Sequence, residues 1–308
     1  MSCLALVAGA AADRIVADPQ RGHPVALVGA ASRRLETKIW APSRGRGAVF
    51  SLLMVGAPAL MALLVDRGLR GRPLVRGAFL ASLVWVAVGG KSLRRAGLQM
   101  ADHLDAGDIE AARALAPTLV GRDPASMDAE DLARAATESI AENTSDAIIG
   151  PLLWGAVAGA PGVVAYRVAN TMDARVGYRN ERFEKFGWAS ARLDDAMNLP
   201  VSRLSAAAAV IGSPFVGGDV RHALATVRRD GSAHPSPNAG RVEAAFAGAL
   251  GVRLGGTNVY GGEAEMRPNL GDGSTPTAED IRRAVRLSQV VEALCLGVCA
   301  LVAWRRWR

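Results

Sequence analysis

The stretch Ala48-Val-Phe-Ser-Leu-Leu-Met-Val-Gly-Ala-Pro-Ala-Leu-Met-Ala-Leu-Leu-Val65 holds eighteen residues without a charge. A helix rises 1.5 Å per residue, so crossing a hydrocarbon core of about 30 Å takes roughly 20 apolar residues. A second run, Ala147–Tyr166, is twenty residues long and equally uncharged. Shorter charge-free runs cover Gly77–Gly90, Leu204–Gly218 and Ala293–Trp304, the last reaching back to Ala284 across Glu292. With the apolar opening these define six segments, at about 1–12, 48–65, 77–90, 147–168, 204–218 and 284–304. Soluble cores rarely place so many such runs in one chain. The expectation is an all-α, polytopic integral membrane protein forming one membrane-embedded domain over 1–308, with long polar loops carrying the active site.

Composition agrees. Half of the 308 residues are hydrophobic, 21% are charged, and mean hydropathy is +0.17, which excludes a disordered or fibrous chain. Aromatics are 5% against thirty-four glycines, and Gly and Ala are what closely packed membrane helices use. Three cysteines, all in apolar stretches, make no disulfide framework. The net charge of +7 is distributed at segment ends: 13–47 carries seven Lys/Arg against three acids, and 66–76 carries four against one. By contrast 91–147 has six bases against eleven acids. Basic charge beside apolar runs suits lipid headgroups. A nucleic-acid groove would need one basic face interleaved with aromatics, so no nucleic-acid partner is expected.

Two segments invite breaks. Residues 1–12 have no basic leader and read as a short first helix. Ala147–Tyr166 contains Pro151, Gly155, Gly159 and Pro161-Gly162, which favours a re-entrant hairpin over a clean span. Between the runs lie polar stretches 91–147, 170–203 and 219–283. The first has helical spacing over Ile109–Leu119 and Ala129–Ile140, with Asp128 or Ser126 as the cap. The third is rich in turn residues and reads largely as loop.

The densest polar chemistry lies in 170–203. Asp173, Asp194 and Asp195 suit Mg²⁺, which takes one or two carboxylates plus substrate phosphates. Arg175, Arg179, Arg192 and Arg203 suit bidentate contacts to phosphate or carboxylate. Asn170, Asn180 and Asn198 recur beside acids, which solubility alone does not require. A second constellation is Glu138-Ser-Ile-Ala-Glu142-Asn143-Thr-Ser-Asp146. Glu138 and Glu142 stand i, i+4 on one helix face with Asp146 a turn further, and like charges there call for a cation or a substrate amine. A third pair of loops places His23 and His234 each before a proline and a few residues after an Asp. Gly255–Gly262, with no strand before it, reads as a weak nucleotide loop or a flexible lid. Taken alone, these residues suggest a Mg²⁺-dependent membrane enzyme acting on a phosphorylated substrate.

The motifs in this order add a family. Asp13…Asp18-Pro…His23-Pro-Val, Glu138-Ser-Ile-Ala-Glu-Asn-Thr-Ser-Asp146 and Tyr166-Arg-Val-Ala-Asn-Thr-Met-Asp173 come first. They continue with Gly177-Tyr178-Arg-Asn180-Glu, Phe186-Gly-Trp…Ala191-Arg-Leu-Asp-Asp195 and Pro200…Arg203-Leu. Asp230…His234-Pro-Ser-Pro-Asn238-Ala-Gly240, Glu243-Ala-Ala and Leu254-Gly-Gly…Tyr260-Gly-Gly…Arg267-Pro…Leu270-Gly271 close the series. Together they resemble the adenosylcobinamide-phosphate synthase family of cobalamin biosynthesis, over essentially the whole chain. Met172 and Ala174 stand where that pattern has Leu and Ser.

The resemblance implies a multi-pass enzyme of the cytoplasmic membrane that ligates adenosylcobyric acid, a corrinoid, to 1-amino-2-propanol or aminopropanol phosphate through an amide bond, with ATP and Mg²⁺. A carboxylate becomes reactive toward an amine once its oxygen is a leaving group, and an acyl phosphate from ATP supplies one. On that reading Asp173, Asp194 and Asp195 are expected to hold the metal. Arg179, Arg192 and Arg203 are expected on phosphates, and Asn143, Asn170, Tyr178, Asn180, His23 and Asn238 on substrate. Glu142 or His234 is the expected base, with Glu138 and Asp146 beside Glu142. An Asp-rich membrane transferase or a corrinoid carrier are the competing classes. The first wants a regular Asp-x₃-Asp repeat, and the second wants polar groups inside the apolar runs.

Overall fold

A computed structural model describes residues 2–17, 23–120, 123–178, 180–260 and 263–306. The elements are almost all helical. Among the described residues, four helical stretches are long and apolar enough to cross a membrane: Arg44–Gly68, Pro73–Asp105, Trp188–Val216 and Ala278–Arg306. The polytopic, all-α expectation therefore holds, with one β-hairpin added. The chain divides into two compact units, Met1–Gly90 with Asp146–Asn198 and Leu296–Arg308, and Lys91–Ser145 with Leu199–Cys295.

The first unit begins with α1 (Ser2–Val16), α2 (Pro24–Ile39), α3 (Arg44–Gly68) and α4 (Pro73–Ala87). Arg44 and Arg46 open α3 and Asp66-Arg67 close it, so its charge-free middle is bracketed by groups that belong in water. Leu52, Leu60, Met61 and Leu64 of α3 are exposed, whereas Phe50, Met54 and Val55 face inward. A helix with large apolar side chains on its outer face is matched to lipid rather than water. At the end of α4, Val88 and Gly89 leave the helix, and the Gly89 N–H donates to the Ala147 carbonyl at 3.1 Å.

The apolar run at 147–168 is broken as its glycines and prolines predict. A wide π turn over Thr144–Ile149 leads into α8 (Gly150–Ala158), and α9 (Ala160–Val176) follows. Gly159 between them has φ 68°, a left-handed conformation that glycine adopts without a Cβ clash. Neither helix reaches spanning length, and α9 packs against α2, α3 and α4. Val168, Ala169, Met172 and Val176 of α9 meet Phe50, Met54 and Val55 of α3 and Phe186 in one buried cluster. The Phe50 and Phe186 rings lie 5.0 Å apart at 46°. Helix α10 (Trp188–Gly212) leaves this unit after Asn198.

The second unit holds α5 (Gly90–Asp105), α6 (Ile109–Leu115), α7 (Ala129–Asn143), α11 (Val220–Asp230), α12 (Ala239–Leu250) and most of α13 (Ala278–Arg306). Asp128 caps α7, its side chain accepting the Asp131 N–H at 2.9 Å. Helix α12 is Ala- and Gly-rich and buried nearly all round, with α7 and α11 packed against it. The expectation that 219–283 is largely loop is corrected here. Besides α11 and α12, this stretch forms an antiparallel hairpin of β1 (Leu254–Tyr260) and β2 (Glu263–Leu270). Its root pairs Leu254 with Leu270 and Gly256 with Arg267, with a bulge at Gly255. Gly255–Tyr260 is thus a strand rather than a lid or nucleotide loop, and Gly261 and Gly262 lie outside the described residues. A buried ion pair, Arg94 Nη1 to Glu292 Oε2 at 2.6 Å, joins α5 to α13. Cys295 and Cys299 are buried core residues.

Candidate functional site

In the first unit, α9 places Tyr166, Asn170 and Asp173 at i, i+4 and i+7, on one face. Helix α10 places Asp194 and Asn198 one turn apart, and the π turn supplies Asp146. These side chains form one network. Asn170 Nδ2 donates to Asp194 Oδ1 and to Asp146 Oδ2, each at 3.3 Å. Asn198 Nδ2 donates to Asp194 Oδ2 at 3.0 Å, so both oxygens of the buried Asp194 accept amide N–H groups. Tyr166, fully buried, donates its hydroxyl to Asn198 Oδ1 at 2.7 Å, and the Asp146 carbonyl is its second contact at 3.1 Å. Tyr166 lies in the sequence as an ordinary aromatic in an apolar run. It opens the motif that ends at Asp173, and its register with Asn170 and Asp173 is the signal for its role.

The half-buried Asp173 and Asp195 lie within electrostatic reach of Asp194. Carboxylates gathered in a poorly solvated place repel one another, and a cation relieves that repulsion. Among the described residues, no three His, Cys, Asp or Glu side chains form a group that would hold an ion unaided. The three aspartates expected as ligands therefore do not make a closed set. Asp194 and Asp195 are adjacent on a helix and diverge by about 100°. What remains, oxygen donors oriented by amides, fits Mg²⁺, which completes its shell with water and substrate phosphate oxygens.

The polar residues of 170–203 stand mostly on helices. Arg192 is an exposed residue of α10, Tyr178 is exposed, and Asn180 accepts the Phe183 N–H at 2.9 Å through Oδ1. Arg179 lies outside the described residues. His23 caps α2, its Nδ1 accepting the Val25 N–H at 3.1 Å.

In the second unit the two acids of α7 part company. Glu138 is buried and accepts the Gly255 N–H at 2.7 Å, while Glu142 is exposed. Arg134, one turn before Glu138, donates to the Gly255 carbonyl and to Asp131 Oδ1 at 2.5 Å. The expected convergence of Glu138 and Glu142 on one cation is thus not what this helix does. Glu138 is committed to the hairpin root. Asp146 follows in a π turn, whose wider winding takes it off the α-helical register of Glu138 and Glu142. Asn143 donates back to the Ser139 carbonyl at 3.0 Å.

Arg203 and Asn238 are brought together as their chemistry suggests. Arg203 Nη1 donates to Asn238 Oδ1 at 2.7 Å, and Ser202 Oγ donates to the same oxygen at 3.0 Å. His234 accepts the Ser236 N–H on Nδ1 at 3.0 Å, and Arg267 Nη1 lies 3.4 Å from its Nε2. Asp230 accepts from Arg229 and from the Gly271 N–H at 2.8 Å, fixing the start of this loop. Arg229 above all, with that N–H, holds the Asp230 carboxyl below its ordinary range, against the opposing effect of burial.

A family profile described as "CobD/Cbib protein" matches residues 6–288. The chain belongs to the CobD/Cbib family. Its relatives named "Cobalamin biosynthesis protein CobD" include one from Mycobacterium tuberculosis, 50% identical over 97% of this chain and 95% of its own. One from Stutzerimonas stutzeri is 42% identical over 98% of both chains, and one from Rhodobacter capsulatus is 42% identical over 92% and 90%. No solved structure matches the chain. The CobD/Cbib family is one of cobalamin biosynthesis, in agreement with the resemblance drawn from the motifs. The motif stretches from Glu138 to Gly271 all fall inside the matched CobD/Cbib region.

Proposed function

We propose that this chain is a carbon–nitrogen ligase that joins adenosylcobyric acid to aminopropanol or aminopropanol phosphate, at the expense of ATP, in the cytoplasmic membrane. The observation that carries this reading is the carboxylate–amide network of Asp146, Asn170, Asp194 and Asn198 in a CobD/Cbib chain. Forming an amide from a free carboxylate needs an activated acyl group, and phosphoryl transfer needs oxygen ligands and phosphate donors held in place.

The carboxylate oxygen of the corrinoid attacks the γ-phosphorus of ATP, ADP leaves, and an acyl phosphate results. The amine nitrogen then attacks the acyl carbon, phosphate departs with the activating oxygen, and one N–H proton goes to a base. Asp194, with Asp173 beside it, would hold Mg²⁺, which when bound neutralises phosphate charge during transfer. Asn170 and Asn198 orient the Asp194 carboxylate and exclude other rotamers. Arg203, positioned by Asn238, carries a guanidinium suited to a phosphate. His234 spends its Nδ1 lone pair on Ser236, which leaves Glu142 as the better proton acceptor.

The deciding experiment mixes purified protein, ATP, Mg²⁺, adenosylcobyric acid and aminopropanol phosphate, and reads products by mass spectrometry. Adenosylcobinamide phosphate with stoichiometric ADP and phosphate supports the proposal. Unchanged substrates with a competent, folded protein would point instead to a carrier, and a different phosphorylated product to another transferase.

A further inference from the structure

The turn between α3 and α4 has a feature that amide ligation does not use. Ser2, Asp66, Arg70, Arg76, Gly77 and Gly159 line a cavity of about 200 Å³ within the first unit. Arg76 is locked against Asp66 by two bonds, Nε to Oδ1 at 2.8 Å and Nη2 to Oδ2 at 2.7 Å. Arg70 is exposed at the mouth. Residues 66–76 carry four arginines against one acid, so pairing with Asp66 leaves the turn strongly cationic. The first turn of α4 has no side-chain cap on its N–H groups, adding positive potential on the same side. Close in sequence to the lining residues Asp66 and Pro73, apolar side chains face outward: Leu64 on α3, and Leu74 and Val75 on α4, all more than half exposed.

A cationic cavity at the end of two spanning helices, flanked by apolar side chains, has the layout of one molecule's chemistry. A phosphate needs the arginines, and acyl chains need the leucines. We propose that this cavity binds the phosphate of an anionic glycerophospholipid, whose acyl chains run along Leu64 and Leu74. Free phosphate shares the headgroup chemistry and makes no use of the apolar flanks.

The test uses the full-length protein in nanodiscs containing phosphatidylglycerol and phosphatidylcholine in equal amounts, with the retained lipids counted by native mass spectrometry. Wild type is expected to retain phosphatidylglycerol preferentially. Arg70→Gln lowers that preference about fivefold, the effect of one arginine near an anionic surface. Arg70→Lys retains most of it, and Arg221→Gln, an exposed change on α11, leaves it unaltered. Equal retention of the two lipids by wild type overturns the proposal, as does an Arg70→Gln protein with the wild-type preference. Thermal unfolding in detergent separates the two phosphate sources: inorganic phosphate raising Tm as much as short-chain phosphatidylglycerol overturns the lipid assignment.

Discussion

The Tyr166 hydroxyl donates to Asn198 Oδ1 at 2.7 Å, and this bond decides which end of the Asn198 amide faces Asp194. With Oδ1 engaged by Tyr166, Nδ2 is turned to the carboxylate. Tyr166→Phe leaves a buried amide oxygen short of a donor and removes the reason for that orientation. A loss of about 1–2 kcal/mol in stability is expected. On the ligase reading, the Mg²⁺ concentration for half-maximal rate rises while substrate affinity changes little. A Phe variant with unchanged unfolding and unchanged Mg²⁺ dependence would remove Tyr166 from this network.

Asp194 and Asp195 should not tolerate amidation equally. Asp194 is buried and accepts from two amides; Asp195 is half-buried on the adjacent position. Asp194→Asn sets an NH₂ group against N–H donors and withdraws a charge worth several kcal/mol in the transition state, so a loss on the order of 10³-fold in rate is expected. Asp195→Asn is expected to lose about 10- to 100-fold, with partial rescue by raised Mg²⁺. Steady-state rates over a Mg²⁺ series measure both. Equal losses would mean that burial does not sort the pair.

The acids of α7 separate by readout. Glu138→Ala strips the acceptor from the buried Gly255 N–H and is expected to destabilise by about 1–3 kcal/mol. Glu142→Gln, at an exposed position, should shift unfolding by less than about 0.5 kcal/mol yet remove most turnover. Unfolding in detergent and product formation, run side by side, check the contrast. A fully active Glu142→Gln protein refutes its role as base.

Asp230 gives a pH signature. Its folded carboxyl titrates below the unfolded value near 3.9, so its contribution to stability is fully present above that value. That contribution disappears as pH falls through the lower, folded value. The Tm difference between wild type and Asp230→Asn should be constant from pH 7 to about 5 and shrink below pH 4. A difference that persists unchanged at pH 3 would mean the Arg229 and Gly271 contacts do not depend on charge.

Apolar length and charge placement made α3 and the last turns of α13 legible, because a bilayer span is a property of composition summed over twenty residues. The break in 147–168 was legible too, since Gly159 and Pro161 act locally. The hairpin was not. Leu254–Leu270 contains four glycines and a proline, and its root is held by Glu138 and Arg134, more than a hundred residues away in sequence. Asp194 was found by residue type, but the bond from Tyr166 to its partner Asn198 was not, because an aromatic in an apolar run carries no sign of its hydroxyl's destination. The pairing of Glu138 with Glu142 failed for a related reason: helical spacing fixes a shared face and not what each side chain meets.

The short helices α8 and α9 have a consequence for assembly. By composition 147–166 is an uncharged stretch of span length, yet its final form is two helices joined at Gly159. The N–H groups at that joint find partners within the segment: Gly159 reaches the Gly155 carbonyl at 2.9 Å, and Gly162 and Val163 reach the Gly159 carbonyl at 3.0 and 3.1 Å. The surfaces that receive these helices belong to α1, α2, α3 and α4. All four are synthesised before residue 150 leaves the ribosome. The order of elements along the chain therefore serves as a schedule, in which the docking surface is finished before the piece that docks is made.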